Sequence, residues 1–538
     1  MNSRPTIRGV TLVAAIAVLA GCVNLTPSPP PSSEGTATGD ASPSTAPPSG
    51  TASPTAPPPL NFPLAVVTGM TNLKPAITLD ELATFARRGR LDVPCGVTVV
   101  EPTLDVSAPC VDAERIAAEL KRHQKRVALL PPGLVEPATK VLPIAGKGPF
   151  GLFGANLFGD PKSRALDYPI TGSAPADSGL DPAWIAYDPS EIWTLTNIGS
   201  LCADRNAAYQ AVTLGRGWNW VFKGGTARYT SPAVVDPPDP PPYVFSPVDA
   251  VETGNNGVTP RIQKRADVAI ADHECPVMPS AGWEPNVSSP ALVFSVPEDV
   301  LPLWKNTLGL DMVYLAANHM SDRGVPGIRS TLDLIDAYGI PRTGLGMNLD
   351  EALEPAYVEV AGLKVGFVAF NDVNGVAEAD ADTAGVPWIN PDNISEGVRR
   401  ARAGGADLVI CNPQWWGGAE YHDDLWPSQV TQLEWFDEGG CDHVIGAGTH
   451  VAGPLLLRQQ GGKASLVLVS PGNYMFGQNW WQEAQEGVIL DMTFRGMTLV
   501  NFRMHPTIMV DAARASLLDP QGDGRYVLQR IWKYAQLD

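Results

Sequence analysis

The sequence predicts an α/β fold for most of this chain, and two observations predict it. Short, continuously apolar segments recur along residues 191–505: "IWTLTNIG", "ADVAIAD", "LDMVYLAA", "LKVGFVAF", "ADLVICN", "CDHVIGAG" and "SLVLVSPGN". Between several of them run amphipathic stretches, "PEDVLPLWKNTLG", "GIRSTLDLIDAYG" and "PSQVTQLEWFDEGG". Strands without polar alternation are buried on both faces, as in a largely parallel sheet covered by helices. In such sheets the loops after the strands carry the functional residues. One segment departs from the pattern: in "YVEVAGLKVGFVAF" the "AGLK" joins two strand-like runs and reads as a tight hairpin.

The chain has 538 residues, 44% of them hydrophobic and 18% charged, with a formal charge of −19. More than one globular unit can be supported, and nucleic acid is excluded as a partner. Residues 1–21 read as an export signal, because Arg4 and Arg8 precede an apolar run, Val10 to Ala20, that is short for a bilayer span. The run ends in "LAGC", which resembles the bacterial lipobox; that resemblance implies a lipoprotein acylated at Cys22 and anchored to the outer face of the cytoplasmic membrane. Residues 22–62 collapse to Pro, Ser, Thr, Gly and Ala. Such a composition buries too little apolar surface to offset chain entropy, so the segment reads as a disordered, partly extended tether.

Residues 63–172 alternate strand-like and helix-like pieces: "PLAVVTG", "TLDELATFARRG", "GVTVVEP", "DAERIAAELKR" and "RVALLPP". Asp80 and Asp112 stand just before helical periodicity, where N-caps belong. The order of these pieces, continued by "VALLPPGLVEPATKVLPIAGKGP" and "DYPIT", resembles half of a periplasmic substrate-binding protein of the phosphate-binding type. The resemblance implies a small α/β docking or structural module. Residues 506–538 follow the last strand-like segment and read as a C-terminal extension.

After Cys22 six cysteines remain, and an exported compartment permits disulfides. Cys95 and Cys110 bracket a short segment that suits a loop staple. Polar residues collect at the strand ends: Ser200; Asp272, His273 and Glu274; Asn318, His319 and Asp322; then Trp416, Glu420, Tyr421, His422, His450 and Asn473. Oxygen and imidazole ligands converging from several loops are what a hydrolytic metal site needs.

Five motifs in order carry a resemblance to the CapA or PgsA capsule-biosynthesis proteins, which share the fold of calcineurin-like metallophosphoesterases. They are "ADVAIADHECPV", "LDMVYLAANHMSDRGVPGIRSTLDLIDAYGIPRTGLGMNLDEALEP", "WWGGAEYHDDLWPSQVTQLEWFDEGG", "CDHVIGAGTHV" and "SPGNYMF", within Ile192 to Met504. The resemblance implies a metallophosphoesterase-like α/β sandwich over 191–505, preceded by the small periplasmic-binding-like domain. In the family, metal ligands come from an Asp in "GD", the Glu of "NLE", the Asn and His of "NNH", the His of "HWG" and both His of "H.H". Glu274, Asn318, His319 and His450 match. Ser200 stands where the "GD" Asp belongs, Trp or Gln of "QWWGG" where the "HWG" His belongs, and Gly448 where one of the paired His belongs.

These departures argue against a two-metal centre, in which a carboxylate bridges ions about 4 Å apart. What the resemblance leaves is one divalent ion held by Glu274, Asn318 and His450, with Asp272 assisting. His319 would protonate a leaving oxygen or steady a phosphoryl group, with Asp322 orienting its ring. The competing reading is that Asn318, His319 and Asp322 only hydrogen-bond one another to close a loop. Trp416, Glu420, Tyr421 and Asn473 are the expected substrate contacts. Trp415, Trp426, Trp435, Trp480 and Trp481 join Trp416 as candidates to line a groove for sugar rings or a peptide-like polymer. Cys202 and Cys275, each after a strand end in neighbouring motifs, form the second candidate disulfide.

The function implied is synthesis or export of an extracellular polymer, poly-γ-glutamate or capsular polysaccharide, by a subunit of a membrane-bound machine. Its partners would be the lipid membrane, the anionic polymer and other subunits of the synthase or export complex. Two alternatives are a surface phosphoesterase using a single metal ion and a non-catalytic solute-binding or scaffold lipoprotein. Retained Glu274, Asn318, His319 and His450 favour chemistry, whereas Ser200 and Gly448 favour binding.

Overall fold

The computed structural model describes residues 58–145, 169–233, 248–286, 292–415 and 420–537. The chain divides between Ala56 and Pro57, and every described residue lies in the second unit. The signal segment, Cys22, most of the tether and Trp416 fall outside the described residues.

Two sheets build the larger part. A ten-stranded mixed sheet holds the parallel neighbours Ile192–Cys202, Val268–His273, Met312–Tyr314 and Arg342–Thr343, with the long antiparallel pair Glu486–Arg495 and Thr498–Val510 alongside. The short strand Asn473–Phe476 pairs parallel with Ile192–Cys202. A seven-stranded sheet holds Leu363–Asn371, Leu408–Gln414, His443–Ile445 and Lys463–Leu468 as parallel neighbours. At its edge Ala356–Val360 pairs antiparallel with Leu363–Asn371. The turn between them is the expected hairpin, with Ala361 left-handed at φ 50°, as the twist of a two-residue turn demands.

The seven-stranded sheet shows why its strands lack polar alternation. Val365, Phe367, Ala369, Leu408, Ile410, Leu466 and Leu468 enter the core shared with the ten-stranded sheet. Their neighbours Val368, Phe370, Val409, Cys411, Val467 and Val469 enter a second core with Leu433 and Phe436 of the helix Pro427–Gly439. Side chains alternate between faces, so a strand covered on both sides must be apolar at every position. Each large aliphatic or aromatic side chain so buried contributes about 1.5–3 kcal/mol. The result is a two-sheet α/β sandwich with an outer helical layer, the class expected.

Residues 506–538 are not an appended extension. Pro506 lies inside the strand Thr498–Val510, Arg514–Leu518 pairs with that strand, and Gln536–Leu537 joins the seven-stranded sheet. Buried Val527, Leu528 and Ile531 of the helix Gly524–Lys533 enter the main core.

In the N-terminal part, Leu60–Pro63 pairs with Thr171–Ala174, so the boundaries expected at 63 and 172 fall inside strands. A four-stranded sheet places Ala65–Gly69 antiparallel to both Val127–Leu130 and Thr139–Val141, with Leu91–Asp92 parallel at the edge. This small mixed sheet does not by itself identify a periplasmic-binding lobe. It is tied to the main sheet by Asn501, whose amide donates to the Thr139 carbonyl at 2.7 Å, and by Arg503, which donates to the Val141 carbonyl at 2.8 Å.

The N-cap of the helix Leu79–Arg87 is Thr78 rather than Asp80. Thr78 accepts from the Glu81 amide at 3.1 Å, while Glu81 accepts from the Thr78 amide at 2.9 Å, a capping box that satisfies two orphan donors. Asp80 instead sits in the first turn, where its charge complements the helix dipole. Asp112 precedes the short helical turn Ala113–Arg115 without a side-chain cap bond.

All six cysteines after Cys22 are paired. Cys95–Cys110 and Cys202–Cys275 form as expected, with Cα atoms 4.8 and 5.7 Å apart. The third pair, Cys411–Cys441, joins a buried strand to the turn that follows the helix Pro427–Gly439.

Candidate functional site

The C-terminal ends of the parallel strands in both sheets meet at a pocket of about 480 Å³. Asn318, His319 and Asp322 enter it after Met312–Tyr314, His450 after His443–Ile445, and Phe476 closes the strand Asn473–Phe476. Glu420, Tyr421, Gln478 and Trp480 complete one wall, and Arg205, Phe294 and Gly375 another.

Glu274 lies fully buried beneath this pocket, with its Oε1 3.6 Å from His450 Nε2. His450 Nδ1 meets Asn473 Oδ1 at 3.1 Å, which fixes the tautomer so that Nε2 is the nitrogen turned toward Glu274. Asn473 also donates to Gln478 Oε1 at 3.0 Å and to the Ala484 carbonyl at 2.9 Å. Asn473, expected as a substrate contact, has its side-chain oxygen and amide engaged inside the protein, where it positions His450 and Gln478. His319 Nδ1 lies 2.9 Å from Asp322 Oδ2, and the same oxygen accepts from the Phe294 amide at 2.6 Å. The His319 ring is steadied edge-on by Phe294, with centroids 4.5 Å apart. His319 thus lines the pocket with its ring oriented by Asp322, in the arrangement the motif implied.

Glu274, Asn318, His319 and His450 converge. Asp272 does not join them at the pocket surface. It is buried, and its Oδ2 accepts from Ser200 Oγ at 2.9 Å. Burial pushes the Asp272 carboxyl well above its ordinary range, with the charge of Glu274 adding to the shift and Ser200 opposing it. Burial likewise pushes Glu274 up to about 7, against the opposing pull of His319 and Ser200. His450 is shifted down by burial, opposed by Glu420 and Asn473.

Between the ligand candidates stands a residue the sequence left ambiguous. Trp415 turns into the helix-side core, donating to the Val469 carbonyl at 2.8 Å, while Gln414 turns into the site. Gln414 Nε2 donates to Glu274 Oε1 at 3.1 Å and to Asn318 Oδ1 at 3.5 Å. The position of the missing second histidine is closed as well. At Gly448, φ +97°, an added Cβ would come within 2.8 Å of the Trp415 carbonyl oxygen and 3.2 Å of the Gln414 side chain.

This donor set does not fit a divalent ion. A metal needs lone pairs converging at about 2.0–2.2 Å, and here an amide N–H group fills the space between Glu274 and Asn318. Among the described residues, no three His, Cys, Asp or Glu side chains are grouped to hold one. The arrangement instead offers a hydrogen-bonding floor under an aromatic-walled pocket.

Of the remaining expected contacts, Glu420 and Tyr421 line the pocket, and Tyr421 is held by Gln478, which donates to its hydroxyl at 3.1 Å. The tryptophan groove is reduced. Trp480 lines the pocket, whereas Trp481 is buried behind Tyr421 at 4.5 Å between centroids and Trp415 is core. Trp435 packs on the helix-side core, and Trp426 packs against His422 outside the pocket. Sequence reasoning missed Gln414 and Arg205 as site residues. Inward phase at the end of a strand was the signal for Gln414, and Arg205 had none.

An α/β sandwich whose strand-end loops bring Asn318, His319, Glu274 and His450 together defines a domain with one polar site at the C-terminal ends of its strands. Residues 244–478 match the family model of the bacterial capsule synthesis protein PGA_cap. The chain is 26% identical over 231 residues to the capsule biosynthesis protein CapA of Bacillus anthracis, covering 42% of this chain and 54% of that protein. It is 27% identical over 176 residues to the PGA biosynthesis protein CapA of Bacillus subtilis (strain 168), covering 32% and 44%. The chain therefore spans about half the length of the curated relatives it matches. Among solved structures it is similar to a 5'-nucleotidase precursor from Thermus thermophilus, with 13% identity, TM-score 0.33, and 64% and 58% of the two chains covered. It is also similar to the calcineurin-like phosphoesterase YfkN from Bacillus subtilis, with 11% identity, TM-score 0.29, and 64% and 96% covered. Superpositions this loose carry no functional weight.

Proposed function

We propose that this chain acts in the biosynthesis or export of an extracellular capsule-type polymer, poly-γ-glutamate or a capsular polysaccharide, and handles that polymer rather than cutting it. The observation that carries the reading is Gln414, whose amide donates to Glu274 Oε1 and Asn318 Oδ1 and so occupies the space between two of the expected metal ligands. The match of residues 244–478 to the capsule-synthesis family model supplies the polymer context. In this reading Cys22 is lipidated, the Pro-rich tether lifts the folded unit off the outer face of the membrane, and other synthase or export subunits pass it the chain.

Deleting the gene in a capsule-forming host and restoring it with His450→Ala and His319→Ala variants tests the role. Loss of surface polymer on deletion, with partial loss in the variants, supports it; unchanged polymer on deletion ends it. Cys22→Ser moves the protein from the membrane fraction to the soluble exported fraction, and retention on the membrane refutes the anchor. A second reading, phosphoester hydrolysis at the surface, is favoured by the His319–Asp322 pair alone. Turnover of a generic phosphodiester that is lost in His319→Ala would establish it.

A further inference from the structure

Arg205 follows the strand Ile192–Cys202 and is the only arginine or lysine among the described residues lining the pocket. Four features hold it in place. Its backbone sits at φ 47° and ψ −116°, a positive-φ conformation outside the left-handed helical well that costs a non-glycine residue energy and persists only where the surroundings impose it. The preceding Asp204 imposes it: its carboxylate accepts from the Arg205 amide at 2.8 Å, the Asn286 amide at 3.0 Å and the Ser295 amide at 2.9 Å. Gly477 leaves the space, since a Cβ there would lie 2.8 Å from Arg205 Cβ. The guanidinium lies over the Phe294 ring, 4.7 Å from its centroid, a cation–π contact on the ring that also packs against His319.

What the guanidinium lacks is a partner. It forms no hydrogen bond or ion pair with any described residue, although Glu420 lines the same pocket. A half-buried guanidinium, held by strain and stacking with no described residue taking its donors, is preorganised for an oxyanion. We propose that Arg205 is the pocket's carboxylate receptor, taking one pendant carboxylate of an anionic polymer through its planar fork; this rests on the polymer-handling reading above. Charge selects a carboxylate over a phosphoryl group. Glu420 already stands against the one cation, so each further negative charge on a ligand adds repulsion, and a monoanionic carboxylate is favoured over a phosphate dianion. Phe294, Phe476, Tyr421 and Trp480 would flank the polymer's apolar backbone methylenes.

The test is calorimetric titration of the full exported protein with a γ-linked glutamate hexamer, and separately with inorganic phosphate. Arg205→Asn removes the charge, and Arg205→Lys keeps the charge without the fork. Salt-sensitive hexamer binding by the wild type, weakened tenfold or more in Arg205→Asn and partly in Arg205→Lys at unchanged melting temperature, supports the proposal. Should Arg205→Asn alone fold poorly, Arg205→Lys at unchanged melting temperature decides. Equal hexamer affinity in wild type and variants overturns the role of Arg205 while leaving polymer handling intact. Phosphate binding tighter than hexamer binding overturns the carboxylate assignment. A wild type that ignores the hexamer but binds an oligouronate with the same Arg205 dependence supports the receptor and removes γ-glutamate. Failure to bind either carboxylated oligomer overturns both readings.

Discussion

Gln414 Nε2 lies 3.1 Å from Glu274 Oε1, an amide set where a cation would otherwise neutralise a buried carboxyl group. A carboxyl in that position must be paired with a cation, protonated or hydrogen-bonded. The neutral amide takes the third course at Glu274 Oε1, as Ser200 does for Asp272, while Glu274 Oε2 stays buried without a hydrogen-bond partner.

The first prediction is a gain of function. Wild-type protein should show no saturable Mn²⁺ or Zn²⁺ binding by calorimetry, and the double variant Ser200→Asp, Gln414→His should acquire it. Restoring an acid and an imidazole beside Glu274, Asn318 and His450 recreates lone pairs where hydrogens now point. Tight wild-type binding that disappears in Glu274→Gln would show that the amide turns its oxygen inward instead.

A second prediction concerns Gly448. Gly448→Ala forces a Cβ against the Trp415 carbonyl at 2.8 Å in a left-handed conformation. The strain should cost about 1–3 kcal/mol, read as a lowered midpoint in urea with an unchanged slope. An unaltered midpoint would mean that the loop has room to move, and that a histidine could have been accommodated there.

Acid stability should depend on His443. Its Nδ1 accepts from the Leu466 amide at 3.0 Å, so the ring must be neutral in the fold, and burial holds its pKa down to about 4. An unfolded histidine titrates near 6.5. The folded state therefore binds fewer protons between these values: the stability is present above about pH 6.5 and is lost as pH falls through about 4. His443→Asn keeps an acceptor in place without titrating. Its melting temperature should fall less than that of the wild type between pH 6.5 and 4; parallel curves would clear His443 of the effect.

The Cys411–Cys441 bridge closes a loop with a sequence separation of 30 and ties a core strand to the end of its covering helix. Replacing both cysteines with alanine should cost about 3–4 kcal/mol on the loop-entropy scale, and thiol titration of denatured wild type should find none of the six paired cysteines free. A reactive pair before reduction would contradict the pairing.

Much of this protein was legible in the sequence because the signals are local. Apolar runs such as "LKVGFVAF" and "ADLVICN" announce strands covered on both faces, "AGLK" announces a hairpin, and the motif around Asn318 and His319 keeps its spacing wherever it folds. What the tertiary structure alone decided turns on phase and on distant partners. Whether Gln414 or Trp415 faces the site depends on where the strand ends, since adjacent side chains point to opposite faces. Asn473 reads as a ligand contact, and only folding brings its partners His450, Gln478 and Ala484 around it. The segment 506–538 looked like a tail because its strands find their partners only through long-range pairing. Arg205 carried no local mark, because its strained backbone and stacked guanidinium arise from Asp204, Phe294 and Gly477, which chain folding brings together from separate loops.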